Sequence, residues 1–118
     1  KVVRGSASYK GLVVFCVRMD VEVDFILANA GQVIWVEASD DVRYKRYMQH
    51  MREGEIAITQ AELMAQEALQ WQPQPGINPS IQMNIEYVKN HATNVFENNV
   101  ENIQDFTVLA QKFISEIL

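Results

Sequence analysis

The chain has 118 residues, 48% of them hydrophobic and 21% charged, which is enough for one small domain with a core and too little for two. Its 10 Lys and Arg against 15 Asp and Glu leave a net charge of −5, so the broad attraction to phosphate on which nucleic-acid binding depends is missing. A single cysteine, Cys16, excludes an internal disulfide and a thiolate metal cluster, and no apolar run approaches the roughly 20 residues of a membrane span. These features predict a cytoplasmic protein with neither nucleic acid nor membrane as partner. The opening Lys1-Val2-Val3 has no initiator Met and no signal layout. The expectation is a processed chain or an internal piece of a longer protein, with residues 1–10 a tag or loop remnant. Residues 1–118 are then one α/β domain or the C-terminal part of one.

The run Leu12-Val13-Val14-Phe15-Cys16-Val17 is continuously apolar and β-branched, which predicts a strand covered on both faces. Asp20, Glu22 and Asp24 then open a helix over 20–30, since acidic groups favour the positive end of the helix dipole, and Gly31 stops it. A second buried strand over 32–38 follows at once, so the unit reads as strand, helix, strand, the sequence form of a right-handed parallel crossover. Ser39-Asp40-Asp41 caps a helix over 42–51, on which Tyr44, Tyr47, Met48 and Met51 make a stripe while Arg43, Lys45 and Arg46 supply cations. Arg52 lies just past its end.

Thr59 with Glu62 forms a capping box for a helix running to about Gln70. All three prolines fall between Trp71 and Pro79, which predicts one loop, with Trp71 either packing it down or lining a pocket. A short helix is expected over 84–90, a third strand over 92–98, and an amphipathic helix over 105–118 with Phe106, Leu109, Phe113 and Ile117 on one face. Parallel strands with helices between them predict an α/β fold, a three-layer parallel sheet with flanking helices, and three strands make that sheet thin. Ligands of open α/β sheets sit beyond the carboxyl ends of the strands, here near Arg18, Asp40 and Asn98.

The order of strand and arginine, helix, strand, acidic cap and Arg-rich helix resembles the C-terminal half of the P-loop kinases of small metabolites, nearest to the dephospho-coenzyme A and nucleoside monophosphate kinases. Val13 to Arg18 followed by Glu22 looks like the family strand that precedes an acidic helix. The stretch from Val33 to Arg46 is similar to the next strand and its Arg-x-x-Arg lid helix. Ala92-Thr93-Asn94-Val95-Phe96-Glu97-Asn98 is similar to the last strand, where an Asn ends it. The resemblance spans roughly residues 11 to 118. It implies an ATP-dependent phosphotransferase with Mg2+, in which Arg43, Arg46 and Arg52 are the catalytic lid cations that close over the transferring phosphate. Arg18 and Asn98 are the implied substrate-binding residues for a small-molecule phosphate acceptor.

Two departures accompany it. The phosphate-cradling G-x-x-x-x-G-K-[ST] loop appears nowhere in the chain, so the nucleotide-binding half is not contained in it. Phe15-Cys16 stands where the family places Asp-Gly, and neither side chain can hold magnesium or take a proton. The chain alone is therefore expected to be inactive as a kinase.

Each candidate also has a plainer reading. Arg43, Arg46 and Arg52 would make a solvated cationic face paired with Asp40, Asp41 and Glu53, and Arg18 would form a helix-capping ion pair with Glu22. His50 and His91 lack metal-ligand spacing and read as exposed or capping residues. Cys16, inside an apolar run, reads as a small buried hydrophobe. The alternative function is a non-catalytic α/β interaction module that completes its sheet with another chain, or an anion- or nucleotide-binding domain. Homo-oligomerisation stays open.

Overall fold

The computed structural model describes residues 11–78 and 82–118. In chain order they form α1 (Asp20–Ala28), β1 (Ile34–Glu37), α2 (Asp40–Gln49), α3 (Gln60–Ala68), α4 (Ile85–Asn90), β2 (Asn94–Glu97) and α5 (Ile103–Ile117). The fold is mixed α/β, and the described residues form five helices and a two-stranded parallel sheet.

Local chemistry sets most helix boundaries. Ser39 accepts the Val42 N–H at 3.3 Å and so starts α2, and Asn84 accepts the Tyr87 N–H at 3.2 Å at the head of α4. The Thr59–Glu62 box closes in both directions, at 3.2 and 2.9 Å, and opens α3. Asn102 caps α5 by accepting the Asp105 N–H at 2.8 Å, which starts that helix ahead of the expected position.

At the end of α1 the Gly31 N–H donates to Ile26 O at 2.9 Å and the Ala30 N–H to Leu27 O at 3.2 Å, the paired bonds of a Schellman turn. The left-handed position of that turn is held by Ala30, at φ 59°. Gly31 serves a different need, because a Cβ there would stand 2.6 Å from Ile26 Cγ2.

The parallel pair that forms joins β1 to β2, with Ile34 opposite Asn94 and Glu37 opposite Glu97, and is not the crossover expected between 12–17 and 32–38. Thr93 locks its start, donating its N–H to Val33 O at 2.8 Å while its hydroxyl accepts the Val33 N–H at 3.0 Å. On one face Phe96 meets Phe106 and Phe113 of α5, with ring centroids 6.0 and 5.0 Å apart. On the other, Trp35 meets Trp71 edge to face at 6.1 Å. The buried centre among the described residues is small: Val23, Val33 and Val88, with Val17, Ile26, Leu27 and Tyr87 packed against it.

The first expected strand does not form. Residues 12–17 join no ladder, the backbone turns left-handed at Cys16 (φ 59°), and Leu12, Val13, Val14 and Phe15 are 53% to 81% exposed. A strand is completed by the neighbour that satisfies its N–H and C=O groups, and no described segment lies in that place. Cys16 is accordingly exposed instead of buried. The expected parallel sheet with 12–17 as neighbour or near neighbour of 33–38 is thus replaced, among the described residues, by β1 with β2. No helix of the described residues is long and apolar enough to cross a membrane.

Candidate functional site

Both strands of a parallel pair end on the same edge, and here that edge is laced by polar contacts. The Asn98 N–H donates to Glu37 O at 2.7 Å, and the Ser39 N–H donates to Asn99 Oδ1 at 2.9 Å. From α2, which starts immediately after β1, Arg46 Nη2 donates to Val100 O at 2.8 Å and to Asn98 Oδ1 at 3.3 Å. Two residues singled out from sequence, Arg46 and Asn98, are therefore in direct contact although 52 positions separate them.

Arg43, one turn earlier on α2, engages α3 instead and lines the cleft beside β1. Its guanidinium donates to Asp40 on its own helix and to Glu67 on α3, and Nη2 lies 3.4 Å from Met64 Sδ. Partial burial by itself lowers its pKa, but the hydrogen bonds and charges of Asp40 and Glu67 outweigh this and raise it, so the group stays cationic. The same helix pair is held by Tyr44 Oη donating to Ile58 O at 2.8 Å and Gln60 Nε2 donating to Asp41 Oδ1 at 2.8 Å.

Arg18 and Arg52 stand elsewhere. The Arg18 N–H donates to Glu22 at 2.8 Å and its carbonyl accepts the Asn84 N–H at 2.7 Å, while its guanidinium lies 4.0 Å from Met83 Sδ. Glu22 thus has the helix-capping role expected of it, but through the Arg18 and Met19 backbone N–H groups and not through the Arg18 guanidinium. Arg52 is exposed beyond α2 and donates its backbone N–H to Glu55 at 3.0 Å. His50 and His91 occupy the C-cap positions of α2 and α4, and the His91 ring stacks on Tyr87 at 3.8 Å.

A cleft of about 570 Å³ runs beside β1. One wall is the continuous stretch Trp35, Val36, Glu37, Ala38, and Arg43 with Glu67 closes one side. Trp71 and Lys89 also line it, the Lys89 ammonium 5.7 Å from both indole centroids and 3.5 Å from Glu37 Oε1. Trp35 Nε1 is buried and has no hydrogen-bond partner among the described residues. Sequence reasoning missed Trp35, Glu67 and Lys89 as members of a site. Their one advance signal was the choice left open for Trp71, which both packs on Trp35 and lines the cleft.

The carboxylates near this edge do not suit magnesium: Asp40 is engaged by Arg43 and Asp41 by Gln60. No group of three or more His, Cys, Asp or Glu among the described residues could hold a metal ion. What the arrangement does offer is two arginines of α2, Arg46 at the residues that follow β2 and Arg43 in the cleft beside β1, each already hydrogen-bonded to the protein. Comparison with family models, curated proteins and solved structures found no match.

Proposed function

We propose that this chain is the C-terminal, lid-bearing portion of an ATP-dependent phosphotransferase that acts on a nucleotide-like or other small phosphate acceptor in the cytoplasm. On this reading the strand pair belongs to a larger three-layer parallel sheet of the P-loop kinase kind. The phosphate loop and magnesium ligands lie in polypeptide outside these residues, and the chain alone is inactive. Phosphoryl transfer depends on positioning and charge stabilisation. Arginines near the carboxyl edge of a parallel sheet supply the second of these and none of the phosphate cradle.

The observation that carries the reading is the contact of Arg46 with Asn98 across the carboxyl ends of β1 and β2. It joins an Arg-rich helix to the Asn that ends the last strand, at the edge where α/β sheets bind ligands. Arg43 already donates to Asp40 and Glu67, so an anion would compete with two carboxylates for its guanidinium.

The test is to express the whole reading frame that encodes this chain and to assay phosphoryl transfer from ATP to a panel of nucleoside monophosphates. Turnover is expected from a longer product that carries a phosphate loop, with a loss of about 10²-fold or more in Arg46→Ala. No turnover is expected from residues 1–118 alone. Turnover by the chain alone, or a reading frame without a phosphate loop, overturns the proposal. The non-catalytic reading, an interaction module, is favoured by one observation, the exposed apolar run at 12–15.

A further inference from the structure

A strand presents alternate residues to each face of its sheet, so a cavity on one face is lined by every second residue. The cleft beside β1 is lined by four in succession, Trp35, Val36, Glu37 and Ala38, and therefore runs along the edge of the strand. The carbonyls of Val33 and Glu37 accept amides from the β2 side, Asn94 at 3.2 Å and Asn98 at 2.7 Å. By the two-residue alternation of the ladder, the N–H and C=O of Ile34 and Val36 point the other way, to an edge where no described strand lies.

The side chains around this edge define what it can take. Ile34 and Val36, 38% and 56% exposed, offer apolar surface on one face. Glu37, Asp40 and Glu67 put three carboxylates at the cleft against Arg43 and Lys89, which pair with them, so one negative charge is left in excess. A second copy suits this poorly. Each copy carries a net charge of −5, and the chain's own unpaired run Leu12-Val13-Val14-Phe15-Cys16 brings no cation.

We propose that the free edge of β1 is an acceptor for an extended segment of a partner polypeptide, apolar on the side of Ile34 and Val36 and basic on the side of Glu37. The segment adds a strand to the sheet: main-chain hydrogen bonds to Ile34 and Val36 supply affinity, and the alternating side chains supply specificity. It also covers an edge that otherwise stands open to aggregation. Strand addition needs no ATP turnover, but a sheet edge takes one neighbour, so the larger sheet of the phosphotransferase reading must then continue from β2.

The probe is the hexapeptide acetyl-Val-Lys-Val-Lys-Val-Lys-amide, compared with the same peptide N-methylated at alternate residues and with its Val-Glu counterpart. Both tryptophans of the chain line the cleft, so their fluorescence reports occupancy directly. The Val-Lys peptide is expected to shift that fluorescence and to slow hydrogen exchange of the Ile34 and Val36 amides about tenfold or more. The N-methylated and Val-Glu peptides should bind about tenfold more weakly. Glu37→Gln combined with Glu67→Gln should narrow the preference for Lys over Glu while leaving the penalty for N-methylation in place. Equal binding of the methylated peptide overturns strand addition. So does an unchanged fluorescence and exchange pattern. Protection of the two amides that rises with protein concentration in the absence of peptide assigns the edge to a second copy and overturns the partner segment.

Discussion

Glu67 on α3 accepts from the Arg43 guanidinium on α2, and Asp40 takes the other side of the same group. An arginine expected from sequence to face a phosphate is thus already paired within the protein, and the pairing ties two helices together. Both partners are more than a third exposed, so solvent screens them and a double-mutant cycle with Arg43→Ala and Glu67→Ala should give a coupling of only about 0.2–1 kcal/mol in urea denaturation. Glu67→Gln should at the same time strengthen binding of pyrophosphate, measured by calorimetry, because Arg43 then has one carboxylate fewer to leave. Unchanged anion affinity would assign Arg43 to the structural pair alone.

The Schellman turn after α1 holds an alanine in left-handed backbone, at φ 59°. That conformation costs an L-residue about 1–2 kcal/mol, whereas glycine adopts it freely. Ala30→Gly should therefore raise stability by about 1 kcal/mol. Gly31→Ala should lower it, since its Cβ would meet Ile26 Cγ2 at 2.6 Å and Ile26 O at 2.8 Å. Denaturant midpoints of the two variants, moving in opposite directions, are the check.

Tyr87 Oη donates to Asp24 Oδ1 at 2.6 Å, linking α4 to α1. The hydrogen bond to Asp24, with burial and the charges of Asp24 and Asp20 adding to it, raises the phenol above its ordinary value of 10.0. The folded state thus favours the protonated phenol. Its contribution is complete below pH 10 and is lost as the pH rises through the raised value. NMR titration of the Tyr87 ring should place the midpoint above 10, and Asp24→Asn should bring it back toward 10.

The core and the exposed run should respond oppositely to truncation. Val23 is fully buried, so Val23→Ala should cost about 2 kcal/mol from lost burial and the cavity left behind. Val13 is 74% exposed and joins no ladder, so Val13→Ser should stay within about 0.5 kcal/mol. A large loss at Val13 would mean that residues 12–17 are a paired strand after all.

What the sequence by itself determined are the features whose partners are close along the chain. The Ser39 cap, the Thr59–Glu62 box and the Asn84 cap each join groups three positions apart, so side-chain type and spacing suffice to place α2, α3 and α4. That 92–98 forms a strand parallel to 33–38 was also legible, because apolar strands alternating with helices favour a parallel sheet, whereas their direct pairing was not. Tertiary structure alone decided the rest. Leu12-Val13-Val14-Phe15 has the composition of a buried strand, yet a strand exists only where a neighbour completes its hydrogen bonds, and composition carries no record of the neighbour. The same holds for Arg43, whose pattern on α2 suits a phosphate or a carboxylate equally. Which one it meets depends on Glu67, brought to it from 24 positions away by the packing of α3. The cleft along β1 is of this kind too, since a free edge is a property of the backbone's surroundings and leaves no mark in the side chains that line it.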